Sequence, residues 1–462
     1  MVRWTAVLAW VAYTAGLHWI YISLHVYGQM PAGLALLATG MLSAYVALYT
    51  VGAALGCQWL RLRGQDRLTP FVAAAVITLV EWLRGHLFTG FPWLAIGYLM
   101  VDTPMAGFAP LLGVYGVGFV SVVALGLLIQ AVRHRAWGAF GGAVSIVIAG
   151  LVLSTIAFTE PSGRPLRVAL VQGAIPQSMK FDPTREAQSI ATQLELARAA
   201  TTPGAAHLIV FPETALVRPW EMATIDTREA LHRLATQANA TVMLGLPLSD
   251  ADGYRNSLIA INANTPTGEF AARYDKHHLV PFGEFIPFGF RWFVNAMNMP
   301  LGDFQRGAAT QSPIAVRDQT IGVNICFEDL FGEEIIRPLH PSRSPSEQPS
   351  ILLNISNLAW FGDTIALSQH LTIARMRSME TGRPSIRATN TGATVAIDHH
   401  GAVIDRLPYG QAGLLLSQVQ GMTGATPYNR YGNWPVLIVS IALLCMAVIR
   451  RQRSAASAIE AA

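Results

Sequence analysis

Three residues of this 462-residue chain have types and settings that could do nucleophilic chemistry together: Glu213, Lys276 and Cys326. Each stands at the end of a short apolar, β-like run. Glu213 closes Leu-Ile-Val-Phe-Pro-Glu, Lys276 follows residues 270–274, and Cys326 follows residues 321–325 and precedes Phe327, Glu328 and Asp329. A free thiol has a pKa of about 8.5 and attacks as thiolate. A neighbouring carboxylate can take its proton as general base. A Lys ammonium can hold that carboxylate and stabilise the oxyanion formed when sulfur adds to a carbonyl. Alone, each residue has a bland reading: a helix cap, a surface Lys, an inert core Cys. Two facts raise them. The chain has only two Lys, Lys180 and Lys276, among 32 basic residues, and Cys57 and Cys445 lie in apolar runs, leaving Cys326 alone in the polar block. Arg would bring the charge in a different, bulkier geometry.

The elements that must position these residues read as alternating strand and helix over about 159–431, which means layered α/β. Strands are expected at 166–171, 207–211, 241–246, 256–262, 268–274, 320–326 and 350–355, with paired strands over 384–406 around His400 and Gly401. Helices are expected at about 182–200, 226–238 and 364–381, the first opened by Asp182 as N-cap with Pro183 at its first position. Residues 159–433 hold 22 basic and 24 acidic residues, a slightly acidic balance that argues against nucleic-acid binding. A single Cys in that block excludes an internal disulfide.

The rest of the chain is apolar. Residues 1–158 hold seven Arg, no Lys and three acids, Asp66, Glu81 and Asp102. A span needs about 20 apolar residues. Five runs qualify, at about 4–24, 34–58, 69–88, 106–131 and 137–158, with a sixth at about 434–449. The divisions are therefore a five-span bundle over 1–158, a polar domain over 159–431, and a last span with a basic tail over 432–462. The first run is too long for a signal-peptide core and no small-residue cleavage site follows it, so it reads as a retained span. Arg3, the 59–68 loop, Arg133, Arg135 and the tail Arg450, Arg451 and Arg453 all fall on one side, the cytoplasm by the positive-inside rule. Residues 25–33, 89–105 and 159–433 then lie opposite, in the periplasm of a bacterium. Glu81 and Arg84 share one helical face and read as a pair fixing the bundle. The Gly/Pro-broken, aromatic loop 89–105 reads as interfacial or re-entrant.

The segments Phe-Pro-Glu-Thr (211–214), Tyr-Asp-Lys-His-His-Leu-Val-Pro-Phe-Gly-Glu-Phe-Ile-Pro (274–287) and Asn-Ile-Cys-Phe-Glu (324–328) resemble the three catalytic segments of the nitrilase superfamily. With Val-Gln-Gly-Ala-Ile-Pro-Gln (171–177), Trp-Phe-Gly (360–362), Ala-Arg-Met-Arg (374–377), Gly-Asn-Trp-Pro (432–435), Glu81–Gly85 and Gly90–Trp93, the chain resembles the membrane-embedded apolipoprotein N-acyltransferase family over almost its whole length. The resemblance implies an αββα sandwich inserted into a multi-span helical bundle of the bacterial inner membrane, with the sandwich in the periplasm. It implies that Cys326 attacks the sn-1 ester of a phospholipid, usually phosphatidylethanolamine. The resulting thioester passes its acyl chain to the N-terminal amine of a diacylglyceryl-Cys apolipoprotein. Glu213 would be the base, Lys276 the oxyanion stabiliser, and Glu284 and Glu328 supporting glutamates. An α-amine has a pKa of about 7.7–8.0, so a useful fraction is nucleophilic at neutral pH. Phe181 stands where some members have Trp, Phe327 where some have Tyr, and Leu358 where Asp is common. Members ordinarily carry about two more N-terminal spans. A monomer without cofactor is expected.

Residues 285–304 are rich in Phe, Trp, Ile and Met without regular period; they read as an apolar arm dipping into the membrane, with core packing as the alternative. Trp360 and Phe361 divide evenly between those readings, and Phe181 and Phe327 are further candidate substrate contacts. Lys180 reads first as a solvated surface residue, second as a contact for a phosphate head group. Arg375 and Arg377 read as structural. His277–His278 and His399–His400 are adjacent pairs that point apart on a strand, and no His-Glu-x-x-His or Cys/His cluster exists, so no metal is expected. Two rivals keep part of this reading: a membrane-tethered amidase that hydrolyses a C–N bond, and a non-catalytic membrane scaffold.

Overall fold

Several short strands in the polar half of the chain are buried at every position, and burial on both faces dictates a sheet covered on both sides. Strand Ile351–Ser356 is buried at all six positions, Leu208–Val210 at all three and Ser385–Thr389 at all five. The computed structural model describes residues 2–460 apart from 61–66, 181–184, 203 and 292–302. The chain divides into two compact units, one of residues 1–18, 36–158 and 426–462, the other of residues 19–35 and 159–425.

The second unit contains two six-stranded sheets. The first runs, in hydrogen-bonded order, Gly413–Val419, Leu166–Gln172, Leu208–Val210, Thr241–Asp250, Gly253–Ile261 and Ala272–Asp275. The second runs Val403–Arg406, Val395–Ile397, Ser385–Thr389, Ile351–Ser356, Gln319–Ile325 and Ile314–Val316. Each has three parallel strands at its centre and antiparallel flanks. Alternate side chains of the two sheets meet between them. Val168, Leu170, Val210 and Met243 of the first and Ile321, Ile325, Leu353 and Ile386 of the second form one fully buried core. Helices Glu186–Ala197 and Ile225–Ala238 cover the outer face of the first sheet through Ile190, Leu231, Leu234 and Ala235. Helix Ile365–Thr381 covers the second through Leu371 and Ala374. The result is the αββα sandwich, and the expected strands and helices are present with shifted ends. The expected 268–274 strand starts only at Ala272, because residues 262–269 turn around Pro266 and Gly268. The helix expected from Asp182 is described from Glu186, and residues 182–184 lie outside the described residues.

The first unit is helical. Among the described residues, three helices are long and apolar enough to cross a membrane: Ala32–Trp59, Pro104–His134 and Trp434–Arg453. Val2–Gly16 and Trp19–Tyr27 would make a fourth only as one bent span. Helices Thr69–Arg84 and Trp137–Leu153 have 16 and 17 residues and fall short of a full span. The six-run reading counts apolar composition; the structure breaks the first run after Gly16 and ends the third at Gly85. Loop 89–105 forms 3-10 turns, and its Ile96 amide donates to Glu81 Oε1 at 3.1 Å. Arg84 lies 3.7 Å from the same carboxylate and donates to the Tyr13 hydroxyl at 3.2 Å. The Glu81–Arg84 pair thus ties the first helix, the third run and the loop together.

Candidate active site

The parallel strands aim their carboxyl ends at one place, the usual location of an α/β site. Glu213 follows Leu208–Val210 by three residues, Cys326 directly follows Gln319–Ile325, and Asn357 directly follows Ile351–Ser356. Lys276 directly follows the edge strand Ala272–Asp275. Gly245 lets its strand pass beneath the acid, since a Cβ there would meet Glu213 Cα at 2.7 Å.

Glu213, Lys276 and Cys326 converge. Lys276 Nζ lies 3.5 Å from Glu213 Oε1 and 2.9 Å from Glu284 Oε1. Asn256 Nδ2 donates to both carboxylates, at 2.8 Å to Glu213 and 2.6 Å to Glu284. The Asn357 amide donates to Glu213 Oε2 at 2.8 Å, and the Val280 amide to Glu284 Oε2 at 2.8 Å. Both carboxylates are therefore oriented at both oxygens. Lys276 is 1% exposed, and Glu213 and Glu284 are buried, whereas Cys326 is half-buried. Burial disfavours the Lys276 charge, but the carboxylates of Glu284 and Glu213 outweigh it and hold its pKa above the ordinary lysine value. Burial pushes the Cys326 thiol up; Glu213 pushes it further, by its charge and as acceptor of the thiol proton, and Lys276 pulls it down. On balance the thiol is held above its ordinary value, beside the Glu213 carboxylate.

Cys326 has a positive φ of 53°, a left-handed conformation rare outside glycine. It opens a 3-10 turn, Cys326–Leu330, anchored by Glu328. Glu328 Oε1 accepts from the amides of His277 at 2.7 Å and His278 at 3.1 Å; Oε2 accepts from the Ile325 amide at 2.6 Å and the Tyr274 hydroxyl at 3.0 Å. This one carboxylate fastens the chain after Lys276 to the residue before Cys326. Burial raises its pKa to about 7 against the pull of those amides.

Phe327 is buried and packs edge-on to Phe331 at 5.3 Å. Trp360 and Phe361 are half-buried and face Tyr27 and Trp19, with ring centroids 6.2 and 4.4 Å apart. Phe181 lies outside the described residues, as does 292–302 of the apolar arm. Of the arm's described residues, Phe288 is fully and Phe290 half exposed. Lys180 is not on the surface. It is 3% exposed and donates to the Glu213 carbonyl at 3.0 Å; burial lowers its pKa to about 7. Leu358 is buried over Gly392, so an apolar side chain fits where an acid would lie without water. Arg377 pairs with Glu380 at 2.9 Å and Arg375 donates to the Gly401 carbonyl at 2.7 Å, structural contacts both. Asn256 and Asn357, which orient the Glu213 carboxylate, are positions that the sequence reading misses; a polar residue inside or ending an apolar buried strand is the available signal.

The profile of the carbon-nitrogen hydrolase family matches residues 167–428, and that of the apolipoprotein N-acyltransferase N-terminal domain matches residues 1–128. The apolipoprotein N-acyltransferase of Ralstonia nicotianae is 45% identical over 97% of this chain and 86% of its own length. That of Bordetella bronchiseptica is 42% identical over 96% of this chain and 87% of its own. A solved CN-hydrolase superfamily protein from Xanthomonas campestris aligns with TM-score 0.42 at 17% identity, covering 60% of this chain and 97% of that one. On the sequence matches, the chain belongs to the carbon-nitrogen hydrolase family and, within it, to the apolipoprotein N-acyltransferases.

Proposed function

We propose that this acyltransferase works by a two-step relay through Cys326, taking an acyl chain from the sn-1 position of a phospholipid and delivering it to the N-terminal amine of a diacylglyceryl-Cys apolipoprotein. The observation that carries the reading is the thiol beside a doubly anchored carboxylate and a buried ammonium. In the first step Glu213 takes the thiol proton as sulfur adds to the ester carbonyl carbon. The oxyanion forms beside Lys276, whose charge is already held in place and costs no reorganisation. The tetrahedral adduct collapses, the carbon–oxygen bond breaks, and the leaving alkoxide takes the proton back from Glu213 to give a lysophospholipid. In the second step the acceptor amine attacks the thioester, Glu213 takes a proton from nitrogen, and the thiolate leaves and is reprotonated.

The donor is phosphatidylethanolamine, the domain over 159–431 faces the periplasm of the inner membrane, and the protein acts as a monomer. Phe288 and Phe290, exposed on the segment after Glu284, support a membrane-dipping arm that guides acyl chains. Phe181, Phe327, Trp360 and Phe361 are the further lipid contacts of this reading.

Intact-mass measurement after incubation with phosphatidylethanolamine and no acceptor tests it. One acyl mass should be gained, be absent in Cys326→Ala, and be discharged by a diacylglyceryl-Cys peptide. Free fatty acid without adduct would replace transfer with hydrolysis.

A further inference from the structure

Behind the nucleophile turn lies a buried polar chain that the two-step chemistry does not use. Asp329, Arg387 and His370 are 2%, 0% and 1% exposed. Arg387 Nη1 pairs with Asp329 Oδ2, and Arg387 Nη2 meets His370 Nδ1 at 2.7 Å. His370 Nε2 meets the Cys326 carbonyl oxygen at 3.3 Å. A guanidinium has donors and no acceptor. His370 Nδ1 is therefore the acceptor, the ring proton sits on Nε2, and Nε2 donates to the Cys326 carbonyl. Burial and the Arg387 cation keep the ring neutral, well below the ordinary histidine value. Asn354 Nδ2 donates to the same carbonyl, also at 3.3 Å.

We infer that Asp329, Arg387 and His370 form a positioning relay that holds the Cys326 carbonyl, and through it the left-handed backbone that aims the sulfur at Glu213. This rests on the reading of Cys326 as nucleophile. A left-handed non-glycine residue is strained and persists only when its surroundings over-determine it. A planar peptide transmits the hold on its oxygen to the Cys326 ψ angle. Without the donor, the residue can relax toward negative φ, which swings Cα–Cβ and the thiol away from the carboxylate. The elements are independent: Asp329 comes from the turn itself, Arg387 from a central strand of the second sheet, and His370 from the covering helix.

Two substitutions in the full-length protein separate this role from mere packing. His370→Asn keeps an acceptor near the ring's Nδ1 position for Arg387 but falls short of Cys326. His370→Gln places its amide nitrogen where Nε2 stands. The readouts are the rate of acyl-enzyme formation over a range of phosphatidylethanolamine concentrations, and the rate of Cys326 alkylation by iodoacetamide at fixed pH. His370→Asn should lower the maximal acylation rate about 10²-fold, the scale of a small misplacement of reacting groups, with the half-saturating lipid concentration unchanged. His370→Gln should recover most of that loss, and the alkylation rates of the two variants should differ from each other in the same sense. Asn within about twofold of wild type, Gln no faster than Asn, or a loss expressed in half-saturation overturns the relay. Wild type that alkylates at Cys326 yet never acylates overturns the nucleophile reading instead, and the alkylation comparison still decides the relay. Should His370→Asn fail to accumulate, His370→Gln against Asn354→Leu asks the same question from the second donor.

Discussion

Lys276 shows what a retained lysine does in a chain whose other basic residues are almost all arginine. Its ammonium sits 2.9 and 3.5 Å from two carboxylates in a place with 1% exposure, room for a compact charge and not for a planar fork. Lys276→Arg keeps the charge and should still lower the acylation rate about 10²-fold, because Glu213 and the oxyanion position both shift. Near wild-type acyl-adduct formation in that variant would show that charge alone suffices. Lys180, the other lysine, supports Glu213 from behind by donating to its carbonyl. Its pKa is about 7 in the fold and about 10.4 when unfolded. Between those values the unfolded chain binds one more proton, so stability rises with pH across that interval and is lost as pH falls toward 7. Thermal unfolding of wild type and Lys180→Met should therefore compare most favourably for the variant at about pH 6.5 and least favourably at about pH 9.5. A difference independent of pH would mean that Lys180 does not titrate there.

At the scale of elements, strand ends do the positioning and one carboxylate fastens two of them. Glu328 receives three amides and a tyrosine hydroxyl. Glu328→Gln replaces one acceptor by a donor facing those donors. It should cost about 1–3 kcal/mol for each group orphaned, read by thermal unfolding. It should also slow acylation with little change in lipid half-saturation. Unchanged stability would show that the two segments are held by other contacts. This clamp also marks where sequence reading succeeds and stops. Glu213, Lys276 and Cys326 are legible because each ends an apolar run with a chemically active side chain, and the neighbours in the motifs bring Glu284 and Glu328 with them. Asn256, Asn354, Asn357, His370 and Arg387 are not, because the contacts that join them to the site are made with residues on other elements, 17 to 144 residues away in sequence. Local periodicity carries no such pairing. Lys180 reads as a surface residue for the same reason: nothing near it in the chain shows that the Glu213 carbonyl will meet it.

At the scale of the molecule, the apolar N-terminus divides where composition does not. Residues 19–35 belong to the same compact unit as the two sheets, although they continue an apolar run begun near Met1. Trp19 is buried, and within that unit it packs on Phe361 at 4.4 Å and donates from Nε1 to Gln369 at 3.1 Å. Tyr27 meets Trp360 edge-on at 6.2 Å, and the chain between them forms a π-helix over Ser23–Tyr27. The turn Leu358–Phe361 that they grip directly follows Asn357, whose amide orients Glu213. A residue from the apolar N-terminal run thus braces the Glu213 carboxylate through three consecutive links. Trp19→Ala should cost about 3–5 kcal/mol, the usual penalty for emptying a buried tryptophan site, and lower the acyl-adduct rate by loosening Asn357. Trp4→Ala, at a position 73% exposed, is the matched control and should change neither. Thermal unfolding and adduct kinetics on both variants decide the point. If Trp19→Ala loses stability but acylates at the wild-type rate, the N-terminal segment packs on the sandwich without tuning its chemistry.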